Sequence, residues 1–264
     1  MRIERACCAL LILLAGCETV SFYQQAAKGQ MQLASQGRSV ADLIAADDTD
    51  HRLRRQLVEI SAVLGFAQAS LGLPVGGRYE EYVALDRPYV MWNLFAAPEF
   101  STRGHEWCYP IAGCATYRGY FDRPHADRIA RRLRARTFDV AVLGVPAYST
   151  LGWFDDPLLS TFVGWPDAAV AALLIHELSH SRNFVAGDAT FNESYATFVE
   201  FEGLRAWLAS RGREAELAAL RNQHRVRERF TSFLLQWRAV FDDLYGQPYH
   251  RSRCVCSRRR CLAR

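Results

Sequence analysis

The sequence predicts an α+β fold that is mainly helical and carries a small mixed sheet. Three observations predict it. Apolar residues recur at helical spacing over residues 39–72 and again over 213–245. Short runs rich in aromatic and β-branched residues lie at 89–95, 117–121 and 138–144. A basic amphipathic segment, 125–136, sits between the last two runs, and a helix passing directly into a strand implies a mixed sheet. With 264 residues, half of them hydrophobic and 23% charged, the chain has material for one sizeable core.

Taken in order, the chain opens with Met1-Arg2-Ile3-Glu4-Arg5, an apolar run from Ala6 to Ala15, and Gly16-Cys17. These are the charged, apolar and small-residue parts of a secretory signal, too short to span a bilayer. The stretch Leu14-Ala15-Gly16-Cys17 resembles the lipobox of bacterial lipoprotein signal peptides. That resemblance implies removal of residues 1–16 and a lipid on the thiol of Cys17. With Glu18 next, it further implies, in a Gram-negative host, an anchor in the outer membrane of the cell envelope, facing the periplasm. Ser21 to about Arg38 then starts a tether or a first helix standing off the bilayer. The alternative is an ordinary core helix at the start of the fold.

Leu43, Ile44, Leu53, Leu57, Ile60, Leu64, Ala67 and Leu71 read as two helices, stopped by Leu73-Pro74 and Gly76-Gly77. Tyr89 to Phe95 reads as a strand ending at Ala97-Pro98, and Tyr117 to Phe121 as another. His125 to Arg136 is a helix, followed by a β-rich run from Phe138 to Gly144. Cys108 and Cys114, in an exported chain, either close a small loop around Pro110 and Gly113 or remain two buried thiols. The final helical pattern, from Arg213 to Tyr245, carries Leu217, Leu220, Val226, Phe230, Phe233, Leu234, Trp237 and Phe241 as a stripe expected to be core, with a partner surface as the alternative. Histidines 105, 125 and 224 are expected in surface or core positions, with His105 open to a place near the site.

Charge excludes one class of function. The formal net charge is +4, but residues 250–264 hold six arginines and no acid, leaving 26 basic against 28 acidic residues elsewhere. A nucleic-acid surface needs a basic face spread over a fold, so no nucleic-acid partner is expected. The tail cysteines Cys254, Cys256 and Cys261 match no metal spacing.

Pro166-Asp167 opens an apolar run, Ala168 to Ile175, which leads into His176-Glu177-Leu178-Ser179-His180. On a helix, residues i and i+4 lie about 40° apart, so both imidazoles reach one side and can share an ion at about 2.0–2.1 Å. Glu177 lies beside them as a general base. After the loop SRNFVAGDAT comes Phe191-Asn192-Glu193-Ser194-Tyr195-Ala196. This stretch resembles the Asn-Glu segment of gluzincins, the zinc peptidases of the thermolysin and aminopeptidase N type. The resemblance implies a zincin-like fold with zinc held by His176, His180 and Glu193. Twelve residues separate His180 from Glu193, fewer than in those enzymes, and Glu200 sits nearer their usual spacing. Glu193 has the Asn-Glu-x-x-Ala context. Glu200, seven residues on and on the same helix face, is then expected to orient a histidine.

Upstream, Pro146 to Pro157 combines aromatics, hydroxyls and a glycine. Tyr148 is a candidate to stabilise an oxyanion. Asp155 and Asp156 are candidates to bind a substrate amino group, although a solvated or capping role is the commoner one for such carboxylates. The same segment also reads as a packed core turn. As a whole, residues 17–245 resemble a family of bacterial lipoproteins described as aminopeptidases, through LAGC, RPYVMWNLFAAPEFS, WCYPIAGCATYRGYF, AYSTLGWFDDPLLST, HELSH and NESYATFVE. Members are expected to continue past Leu244-Tyr245 as a folded domain. The Arg/Cys-rich segment 246–264 instead reads as a disordered or aberrant tail, of the kind a frameshift or truncation produces. The implied activity is zinc-dependent hydrolysis of peptide bonds at the cell envelope, aminopeptidase in type. The alternatives are an envelope metalloendopeptidase and a non-catalytic, lipid-anchored zinc-binding assembly factor. The expected partners are a peptide or protein substrate and, through Cys17, a membrane.

Overall fold

The computed structural model describes residues 2–109, 113–150 and 155–247, with side chains described from Glu18 onward. The side chain of Cys17, the tip of the Cys108–Cys114 loop, residues 151–154 and the tail from 248 lie outside that description, as do the expectations placed on them.

Helix α1 runs from Arg2 to Ser35. Phe22 and Leu33, three turns apart on one face, are both buried. Gly29, also on that face, lets the helix press against the Phe121 ring, where a Cβ would overlap the ring atoms. The Gln25 side-chain oxygen accepts from the Phe121 N–H at 2.8 Å. The second half of α1 is therefore a first helix built into the folded body, which is the helical form of the expectation and not a loose tether.

Strand β1 (Arg38–Ser39) leads into α2 (Val40–Ala45) and α3 (His51–Leu71). Asp50 caps α3 by accepting from the N–H groups of Arg52 and Leu53, and Gly72 ends it in the left-handed region at φ 64°. After β2 (Glu81–Val83) comes β3 (Met91–Pro98), then the hairpin β4 (Trp107–Tyr109) and β5 (Gly113–Ala115), joined by a Cys108–Cys114 disulfide. Strand β6 (Tyr117–Tyr120), helix α4 (Arg123–Arg134) and strand β7 (Phe138–Val145) follow.

These strands form an antiparallel sheet in the order β6-β3-β7. This differs from the expected mixed sheet, because α4 carries the chain across to the far side of β3. Strands β6 and β7 therefore run in one direction, each paired to β3 and not to the other. The mixed pairing lies elsewhere: β2 pairs antiparallel with β1 and parallel with β8 (Leu158–Leu159).

The remaining elements are helical: α5 (Ser160–Val163), α6 (Asp167–Arg182), α7 (Ala189–Ser210) and α8 (Glu214–Gly246). The main core gathers Leu57, Leu174, Ile175, Leu178 and Leu208, all essentially inaccessible. Each such side chain contributes on the order of 1.5–3 kcal/mol from burial. A smaller core packs one face of the antiparallel sheet, through Leu94 and Tyr120, against Ile129 and Leu133 of α4 and Phe22 of α1. Helices α6 and α7 meet closely at Gly203, where a Cβ would come within 2.8 Å of Leu71 and 3.0 Å of Ile175. That close approach brings the side chains of α7 within reach of the histidines on α6.

Only the root of α8 is core. Leu217 is buried and Leu220 partly so, while Val226, Phe230, Phe233 and Leu234 are exposed. The expectation of a buried stripe along this helix is corrected. Periodicity marks one face as apolar, but the fold brings no described element over its middle.

Candidate metal centre

Val170, Ala171, Leu174, Ile175 and Leu178 turn one side of α6 into the main core. The adjoining side carries Ala172, Leu173, His176 and Glu177 into an open cavity of about 580 Å³ between α6, α7 and α8. The buried lead-in thus fixes the helix so that its chemistry faces outward in one direction.

His176 Nε2 and His180 Nε2 lie 3.2 Å apart. Glu193, on the first turns of α7, brings one carboxylate oxygen to 3.5 Å from His176 Nε2 and the other to 3.8 Å from His180 Nε2. An ion about 2.0–2.1 Å from three tetrahedral donors needs those donors about 3.3–3.4 Å apart, so two imidazoles and a carboxylate fit it with little movement. Among the described residues these three form a cluster suited to a metal ion. The donor set of two nitrogens and one oxygen leaves a fourth position for a water or substrate atom.

Glu200 lies two turns beyond Glu193 on α7 and meets the other nitrogen of His176, with Nδ1 to Oε2 at 3.0 Å. A carboxylate there fixes the ring and its tautomer, so that Nε2 presents its lone pair to the cluster. Arg227 of α8 faces the second oxygen of Glu200 at 3.9 Å. Burial pulls the His176 pKa down, but the Glu200 hydrogen bond and the charges of Glu177, Glu200 and Glu193 push it up by more. His180 goes the other way, lowered by burial and by the neighbouring His176. Glu200→Gln is expected to weaken metal affinity by about 10–100-fold while leaving the fold intact, as measured by competition with a chelating dye. Unchanged affinity would remove Glu200 from this role.

Glu177 sits beside the cluster, with burial as the largest influence raising its pKa to about 7. A carboxylate so placed changes protonation state near neutral pH, which suits proton exchange with a water at the cluster. Two tyrosines that sequence reasoning did not single out lie within electrostatic reach of it. Tyr79 is buried and held at φ 66°, a strained conformation for a non-glycine residue. Its pKa is well above the usual value through burial and then the charges of Glu177 and Asp156. The pKa of Tyr117, on β6, is also raised, by burial and then by Glu193 and Glu177.

Asn192 is a structural clamp. Its side-chain N–H donates to the Val185 carbonyl and its oxygen accepts from the Val185 N–H, both at 2.8 Å. The loop between α6 and α7 is thereby closed over the start of α7, and the position of Glu193 follows from it.

Other candidates lie elsewhere. The hydroxyl of Tyr148 donates to Gln30 of α1 and its ring packs edge-on against Phe121, so this side chain is tied to α1. Asp156 is 3% exposed, accepts from the Ser149 hydroxyl at 2.9 Å and from the Thr150 N–H at 3.0 Å, and pins its loop. A carboxylate engaged in this way is not an open site for a substrate amine. His105 packs edge-on against Trp107 and Phe138, and His125 is buried beside Tyr120. His224 stacks on Phe201 with ring centres 4.2 Å apart, in the wall of the cavity.

A family model described as "Putative aminopeptidase" matches residues 21–264. No curated protein and no solved structure matches the chain.

Proposed function

We propose that this chain, which belongs to the family described as "Putative aminopeptidase", is a zinc-dependent peptidase. The observation that carries the reading is the convergence of His176, His180 and Glu193, with Glu177 partly buried beside them in the wall of the same cavity. Zinc bound by those three side chains would supply a water acidified toward neutral pH and would polarise the scissile carbonyl. Glu177 takes the proton of the attacking water and returns it to the leaving amine. Glu200 holds His176 in register throughout. The family name points to release of an amino-terminal residue. The reading extends to place: a lipid on Cys17 holds the domain at the outer membrane, facing the periplasm, with peptides of the cell envelope as substrates.

The test is hydrolysis of matched peptides with free and with acetylated amino termini by the zinc-loaded protein. Chelator-sensitive loss of the first residue, confined to the free-amine set, is expected. Internal cleavage of the acetylated peptides would make it an endopeptidase. No cleavage of either set by protein carrying zinc would overturn the enzyme reading.

A further inference from the structure

Helix α8 is tied down at both ends and stands free in the middle. At its root Leu217 and Leu220 enter the main core, His224 stacks on Phe201, and Arg227 faces Glu200. At its far end Asp242 accepts from the Thr102 hydroxyl, and the Tyr245 ring meets Phe100 edge-on at 5.8 Å. Phe100 is held at φ 62°, a costly conformation for a bulky residue, and that loop receives the helix tip.

Arg227 and Asp242 are fifteen residues apart, so the unsupported stretch spans about 22 Å. Leu234 lies only about 20° around the helix from Arg227, on the side turned toward the body of the protein. It is nevertheless 50% exposed, and Phe230 beside it is 59% exposed. A leucine on that side that is still half-exposed means open space beneath the helix. Across that space lies the sheet face opposite the smaller core, with Phe95 and Tyr117 paired across β3 and β6 and an exposed Leu143 on β7. Arg238 of α8 and Phe95, Ala97 and Ala141 of the sheet share the walls of one cavity of about 1270 Å³. At the other end Arg227, Glu200, His176 and Glu177 line the cavity at the metal centre.

We propose that the passage beneath α8 is the binding cleft for an extended, unfolded peptide that threads toward the metal centre with its apolar side chains against Phe230, Leu234 and the sheet face. This rests on the peptidase reading for what happens at the end of the passage, but not for binding within it. The occupant is a single extended chain because the roof is fastened at both ends, which excludes folded polypeptide. It is apolar in part because the roof and the sheet floor both expose apolar side chains. At about 3.3 Å per residue, the passage holds about seven residues.

The test is fluorescence anisotropy of labelled peptides of two, four, seven and ten residues on zinc-loaded protein carrying Glu177→Gln. Affinity is expected to rise at least about tenfold from two to seven residues and then level off. Leu234→Glu removes that gain, while Val240→Glu, on the outer side of the helix, keeps it. Affinity independent of length, or equal losses from the two variants, would overturn the cleft. A dimer of the protein that Leu234→Glu dissociates without changing peptide affinity would also overturn it, since a second copy would then cover this face. Peptide binding with this length dependence but no turnover by the unsubstituted protein would instead defeat the peptidase reading and leave the cleft standing.

Discussion

Glu177→Gln is expected to lower peptide hydrolysis by about a thousandfold, within the range that removal of a general acid–base costs. The substitution keeps the size and most of the hydrogen-bonding capacity of the side chain. It removes only the ability to exchange a proton. Burial, not the histidine beside it, dominates the raised pKa of this group, so an uncharged amide is well accommodated in the same position. The variant should therefore fold normally and retain its metal. Rates measured beside the metal content of the same sample separate the two effects. Hydrolysis within about tenfold of the unsubstituted protein would show that another group carries the proton.

Chelation is expected to lower both activity and stability. The three donors come from two helices joined by a loop, and an ion held by all three ties α6 to α7. Ion at about a thousand times its dissociation constant contributes about 4 kcal/mol, which for a domain of this size shifts the melting temperature by roughly 8–16 °C. The shift should vanish in His180→Ala, because two remaining donors do not hold the ion under the same conditions. An equal shift in His180→Ala would place the ion elsewhere.

The parts of this site that were legible in the sequence are those governed by helix periodicity. Histidines four apart had to share a face, and Glu193 and Glu200, seven apart, had to share another. That Glu200 meets the far nitrogen of His176 follows the same geometry once α6 and α7 are packed at Gly203. What could not be read depends on contacts between distant segments. Tyr148 looked chemically suited to an oxyanion, but its partner is Gln30, 118 residues away, and no local pattern announces that pair. Asp156 takes the capping role, the commoner of the two open to it, but which N–H and hydroxyl it would cap follows only from the folded loop.

Helix α8 marks the difference between a pattern and a structure. Its apolar stripe is evident from residues 217 to 241, and burial is the usual consequence of such a stripe. Here the chain anchors the first turns and the tip and leaves the middle uncovered, so apolar character and burial part company between Val226 and Leu235. The order of strands was likewise hidden. Sequence gives β6, α4 and β7 as successive elements, but only the position of β3 between the two strands makes the sheet antiparallel.

The central claim is that His176, His180 and Glu193 hold one divalent ion. Elemental analysis of purified protein beginning at Glu18, beside His176→Ala, tests it most directly. Near one zinc per chain, lost in the variant, is the predicted result. A folded sample with no bound metal, or one whose metal survives His176→Ala, would contradict it.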